Sequence, residues 1–192
     1  MGFLVDPRKN WALAEKRLVG EQDSRRRQIL ETLITHSKAE ASADFERLMA
    51  TVSPEARYRS FVGDDPEMVS ANSPQGKEEV AAYYTGIVQS GCHLIEHDVE
   101  RMVVGEHALT TEGQLKIAYP GAILSLMGID VPRSDGHYLY EQRLLIVWEF
   151  DAHGLVICED SYAGSGGGNF EGIADRPLSP DQIYHVTLEE VS

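Results

Sequence analysis

The chain has 192 residues, 42% of them hydrophobic, and a formal charge of -14. That length supports one substantial core, with one domain plus extensions expected rather than two. The acidic balance argues against nucleic-acid binding, which needs concentrated positive charge to displace counterions from phosphates. Charge is uneven: residues 1–38 hold eight of the 17 basic residues against five acids, and Arg25-Arg26-Arg27 is the one basic cluster. Three arginines in a row on a helix are usually solvated or paired with a neighbouring acidic subunit. Cys92 and Cys158 are too few for a disulfide framework and wrongly spaced for zinc. The only apolar run at the amino terminus is Phe3-Leu4-Val5, so neither a signal peptide nor a membrane span is expected, and a soluble cytoplasmic protein is the default.

A short helix is predicted around Trp11 to Leu18. From Asp23 to His36, the apolar residues Ile29, Leu30, Leu33 and Ile34 recur at helical spacing. Ser37-Lys38-Ala39-Glu40 matches a capping box, which predicts a new helix carrying Ala41, Phe45, Leu48, Met49 and Val52 until Ser53-Pro54 stops it. Ala56 to Phe61 alternates as a short strand, and Gly63-Asp64-Asp65-Pro66 reads as a turn. Ser73-Pro74 is expected to start a helix that buries Val80, Tyr84, Ile87 and Val88 and ends at Gly91.

Strands are predicted at about 92–104, 107–119, 138–150 and 155–163. In the first, period two puts His93, Ile95, His97, Val99 and Val103 on one face, so two imidazoles share an apolar surface. Burying them needs partners, which implies either a polar network in the core or a pocket that uses histidine chemistry. A hairpin turn at Asp151 to Gly154 would place Leu139, Glu141, Arg143, Leu145 and Val147 on the same face as Cys158, Asp160 and Tyr162, with Arg143 near Asp160. That pair reads either as a plain ion pair or as a means of holding an anionic oxygen. The opposite face, Leu144, Ile146, Trp148 and Phe150, reads as core or a dimer surface. The insertion from Pro120 to Gly136 carries Ala122-Ile123-Leu124-Ser125-Leu126-Met127, too apolar to lie unprotected, and reads as a lid or a subunit contact. Gly164-Ser165-Gly166-Gly167-Gly168 reads as a flexible joint before a carboxy-terminal arm.

Helices first, then a short strand, a helix and a long meander predict an α+β fold, a curved antiparallel sheet wrapped around three helices. In this order the chain resembles the nuclear transport factor 2-like superfamily, whose members include ketosteroid isomerase, scytalone dehydratase, limonene epoxide hydrolase and SnoaL-like polyketide cyclases. The resemblance implies a cone-shaped half-barrel over residues 22–163, with an amino-terminal extension at 1–21 and an arm at 164–192. Cys92-His93-Leu94-Ile95 is similar to the place of the scytalone dehydratase pocket histidine, which maps that role onto His93, and Tyr58 falls where the same group carries a substrate-polarising tyrosine. Glu159-Asp160-Ser161-Tyr162 is similar to the closing strand of the epoxide hydrolases, which maps a pocket acid onto Asp160. The hydrolase's arginine and aspartate fall on Gly113 and Leu115, against epoxide opening.

The expected function is cofactor-independent lyase, dehydratase or isomerase chemistry on a small aromatic molecule, with no metal. The superfamily includes cofactorless lyases that release formaldehyde from lignin-derived diaryl propanediols. Candidate catalytic residues are His93, His97, Asp160, Tyr58 and Arg143; Tyr84, Lys116, Tyr140, Glu141 and Tyr162 are candidates for substrate binding. His93 and His97 would lie about 13 Å apart along a strand, too far to share one ion. The alternatives are a non-catalytic binding or assembly module and an oxygenase small-subunit-like scaffold. The basic amino-terminal region and the arm suggest a homodimer or homotrimer.

Overall fold

The computed structural model describes residues 2–61, 69–70, 72–163 and 170–191, so the predicted turn at 63–66 and the glycine-rich joint at 164–168 lie outside the described residues. Helices α1 (Lys9–Gly20), α2 (Ser24–Ala41) and α3 (Phe45–Ala50) precede strand β1 (Arg59–Phe61) and helix α4 (Lys77–Ser90). Strands β2 (Ile95–Val104) and β3 (Ala108–Pro120), helix α5 (Gly121–Leu126), and strands β4 (His137–Phe150) and β5 (Val156–Ala163) follow. A two-residue strand β6 (Pro177–Leu178) and a last turn of helix α6 (Leu188–Val191) close the chain. The architecture is α+β, as the element order predicts.

Helix α2 starts where Asp23 accepts from the backbone N–H groups of Arg25 and Arg26, at 3.0 and 2.9 Å. It buries Ile29, Leu30, Leu33, Ile34, His36, Ser37, Ala39 and Ala41 along roughly its last three to four turns. The expected capping box at Ser37 is therefore not a helix start: Ser37 is buried inside α2, near its end, and Glu40 belongs to its last turn. The break comes at Ser42-Ala43-Asp44, where Ala43 takes a positive φ of 54° and Asp44 caps α3 through Arg47 N–H. Ser73-Pro74 does not begin α4 either. Helix α4 begins at Lys77 behind Gly76, while the Ser73 hydroxyl donates to Val69 O at 2.5 Å and holds the preceding loop. Its end matches expectation, with Gly91 left-handed at φ 75°. The arginine cluster turns inward to its own chain: Arg25 reaches Asp151 O at 2.5 Å, Arg26 pairs with Glu21, and Arg27 pairs with Glu31.

The sheet runs in the order β1-β5-β4-β3-β2 and is mixed, because β1 joins β5 in parallel while the four meander strands are antiparallel. It does not close into a barrel. Between Val99 and Arg101 the pairing of β2 with β3 slips by one residue, and Val99 sits opposite Gly113. A Cβ on Gly113 would meet Asp98 O at 2.0 Å, so the strands can approach there only because that position lacks a side chain. The bulge also reverses the alternation expected for β2: Met102 is buried and Val103 is 70% exposed.

The faces of β4 and β5 follow the predicted pairing, with Val147 opposite Asp160 and Leu145 opposite Tyr162. Leu144, Ile146, Trp148 and Phe150 are buried core, facing the helices. On the outer face Glu96, fully buried, takes Lys9 at 3.1 Å, Lys116 at 3.2 Å and the Asp6 N–H at 2.7 Å, which fastens the first helix to the sheet. The carboxy-terminal segment runs back beside the first residues, Val5 bridging to Ile183 and β6 pairing with β4. In the insertion, Leu124 is fully buried and Leu126 is 83% exposed. No helix among the described residues is long and apolar enough to cross a membrane.

Candidate functional site

A cavity of about 200 Å³ lies between the helices and the inner face of the sheet. Its walls follow from strand parity. Ile95, His97 and Val99 of β2, Thr111, Leu115 and Ile117 of β3, Gln142, Leu144, Ile146 and Trp148 of β4, and Glu159 and Ser161 of β5 face inward on alternate positions. Leu33, Ser37 and Glu40 of α2 and Tyr83, Tyr84 and Ile87 of α4 close the other side at helical spacing. The lining is mostly apolar with a few polar groups set into it, the form of a small-molecule site.

Two of those polar groups are carboxyls. Burial raises Glu40 to about 7 and, together with the neighbouring Glu40 charge, raises Glu159 to about 8. Two acids that face one desolvated cavity from its helix and sheet sides resist ionising together, and their titration belongs to the pair. Both line the cavity. Glu159 Oε2 lies 2.7 Å from the Tyr84 hydroxyl, which lies 2.9 Å from His36 Nε2; His36 Nδ1 lies 2.8 Å from Thr51 Oγ1. His36 is fully buried, and burial pushes it down to about 3, so its ring is neutral. His97 is likewise pushed down, to about 4, mainly by burial. Its Nε2 is buried with no hydrogen-bond partner among the described residues, while its backbone N–H donates to Asn10 Oδ1 at 2.6 Å.

Of the residues expected to act together, the structure brings His97 and Tyr84 to the cavity. His93 precedes β2 and does not line it; desolvation and the nearby His185 lower its pKa. Asp160 points to the outer face, one residue out of step with Glu159, and its partner is Arg59 at 3.8 Å rather than Arg143. Arg143 is on that outer face too, bonded to Glu112 and, at 2.8 Å, to Glu100. Lys116 is spent on Glu96, and Glu141, its pairing partner, shares its outer face. Tyr162 is 42% exposed and stacks on Phe61 with centroids 4.7 Å apart. Tyr58 is buried behind Tyr84, rings edge to face at 6.1 Å, its hydroxyl meeting no hydrogen-bond geometry among the described residues. Tyr140 lies on the inner face beyond the cavity wall, donating to Gln142 Oε1 at 2.9 Å and packing against Phe170. Among the described residues no group of three or more histidine, cysteine, aspartate or glutamate side chains is placed to hold a metal ion.

Glu40 and Glu159 were the residues sequence reasoning missed. The signal for Glu159 was present: if the hairpin turns at Asp151 to Gly154, Glu159 pairs with Trp148, and the uniformly apolar face of β4 is the one that must turn inward.

Solved structures share this fold. A protein of Mycobacterium tuberculosis in complex with estradiol-17β-hemisuccinate aligns at a TM-score of 0.57 and 13% identity, over 74% of this chain and 98% of that one. The Δ5-3-ketosteroid isomerase of a Mycobacterium species aligns at 0.56 and 13%, over 75% and 98%. A protein of the SnoaL-like polyketide cyclase kind from Shewanella putrefaciens aligns at 0.58 and 11%, over 85% and 91%. The chain has the nuclear transport factor 2-like fold. No family model matches the sequence, and no curated protein matches it. At such identities the likeness is one of fold, and the acids on the wall of this nuclear transport factor 2-like cavity are argued from this chain's own geometry.

Proposed function

We propose that the protein is an enzyme performing proton-transfer chemistry on a small, largely apolar molecule held in the cavity, of the isomerase, cyclase or dehydratase kind. The observation that supports it is the Glu40–Glu159 pair. Carboxyls with midpoints near neutrality can both give and take a proton at physiological pH, as ordinary carboxylates cannot. In this reading Glu159 presents its proton to an oxygen of the substrate, stabilising the enolate or phenolate that develops. Glu40, or the bare nitrogen of His97, takes the proton released from the neighbouring carbon. Trp148, Ile146 and Leu144 hold the apolar frame and exclude water, which strengthens each polar contact.

Structural neighbours that carry a steroid ligand or steroid isomerase activity support the size and polarity of this substrate class. Within it, we place an aromatic substrate bearing a phenolic or carbonyl oxygen first, and elimination of water or of a one-carbon fragment as the lyase form of the same chemistry.

The test is a panel of steroidal, phenolic and polyketide-like compounds, with binding followed through the fluorescence of Trp148 and products by mass spectrometry. Glu159→Gln is expected to lower turnover of the productive compound by about 10²–10⁴ while retaining binding, and Asp160→Asn to leave it within a few-fold. Equal turnover by Glu159→Gln and the native protein removes the acid from the mechanism. Tight binding with no product from any compound favours a carrier instead.

A further inference from the structure

The polar chain behind Glu159 has a direction, and that direction is set at its far end. Thr51 Oγ1 lies 2.6 Å from Leu48 O, which can only accept, so the one hydroxyl proton of Thr51 is committed there. Thr51 must then accept from His36, which puts the proton of that neutral ring on Nδ1 and leaves Nε2 bare. Nε2 accepts from the Tyr84 hydroxyl, whose oxygen can therefore only accept from Glu159. Followed outward from Leu48, each donor is fixed in turn, and the last donor is the carboxyl.

We propose that Thr51 and His36 are positioning residues which, through Tyr84, hold the proton on Glu159 and so keep it a neutral acid, whose one proton a substrate oxygen must take in place of Tyr84. Neither lines the cavity. Ionising Glu159 would require Tyr84 to turn toward it, leaving His36 Nε2 buried without a partner unless the ring also changes tautomer and Thr51 abandons Leu48. A polar atom left unmet in a fully buried place is costly, so the relay opposes ionisation beyond what burial does. The other groups acting on Glu159 are Glu40 of α2, Tyr83 of α4, Tyr58 ahead of β1 and, from the opposite face of its own strand, Asp160, none of which is a cation.

The relay rests on the reading of Glu159 as the acid, and its test uses no substrate, so the two can fail separately. Nitrogen-15 NMR of the histidine rings is expected to show His36 as the Nδ1–H tautomer, and carbon-13 NMR to follow the Glu159 carboxyl. In Thr51→Val the Nδ1–H loses its acceptor, the ring prefers Nε2–H, and Tyr84 turns to donate to Glu159. The Glu159 midpoint should fall by about one pH unit or more, and Thr51→Ser should restore it. A purely structural role for Thr51 would not move that midpoint. An Nε2–H ring in the native protein overturns the proposal, whether or not Thr51→Val folds, and so does an unchanged midpoint in a folded Thr51→Val.

Discussion

A neutral imidazole and a neutral carboxylic acid on one wall define a pH window for chemistry. His97 is held near 4 by burial, so its ring stays uncharged through the physiological range, whereas the Glu40–Glu159 pair gives up protons near 7 and 8. If Glu159 supplies the acid, turnover should decline through about pH 7–9 as its proton is lost; below that it should hold from about pH 5 to 7 with His97 as the base, and rise toward pH 7 with Glu40 as the base. A rate that stays flat or rises across pH 7–9 would show that no such acid is required. How the sequence exposed these residues differs from one to the next. His97 was legible because an imidazole alternating with Ile95 and Val99 stands out on an apolar face. Glu159 was hidden by its neighbour: in Glu159-Asp160-Ser161-Tyr162 the resemblance and the outward pairing both favoured Asp160, and only knowledge of the concave face separates them. Glu40 was hidden by a local signal, since a serine three residues before a glutamate imitates a helix start when the helix in fact runs on to Ala41.

At the scale of elements, the meander was legible and its curvature was not. Strand positions came from alternation, and β3 and β4 keep it, whereas in β2 the slip after Val99 sends Val103 outward and Met102 inward, and in β5 a second slip puts Val156 opposite Phe150 but Cys158 opposite Glu149. A bulge leaves no composition signature; what marks it is Gly113 across the ladder, where an added Cβ would meet backbone atoms at 2.0 to 2.9 Å. Neither Asp98 O nor Val99 Cα can move without shifting the ladder on which His97 and Leu115 sit. Gly113→Ala should therefore cost about 1–3 kcal/mol of stability and loosen the cavity wall. Urea unfolding gives the first effect, and a wild-type midpoint with an unchanged slope would mean that the strands accommodate the methyl. Lys116 and Glu141 show the complementary lesson: charged residues in a strand beside a pocket belong to the outer face as often as the inner, and here Lys116 is committed to Glu96 beneath the first helix.

For the whole molecule, the groups that shape the site also set how stability varies with pH, and their signs can be worked through. Glu40 and Glu159 have folded values raised above the ordinary 4.5, so their contribution is complete below about pH 4.5 and is lost as pH rises toward 7 and 8, where the folded state at last ionises. His36 and His97 have folded values lowered from 6.5 to about 3 and about 4, so theirs is complete above about pH 6.5 and is lost as pH falls. Between about 4.5 and 6.5 the two trends oppose and nearly cancel; above that window the acids alone act, and below it the histidines do. The outer ion pairs add to the acid side only, since arginine contacts hold Glu21 and Glu112 near 2. The melting temperature should thus peak in mildly acidic solution, near pH 5–6.5, and fall between pH 6.5 and 8. The fall is specific to the buried acids, because exposed carboxylates are already ionised across it. Replacing one acid by its neutral isostere should flatten it, so thermal melts of the native protein and Glu159→Gln at pH 6 and pH 8 decide the matter: the native protein should lose more than the variant, and parallel losses would place the alkaline instability elsewhere than in the cavity wall.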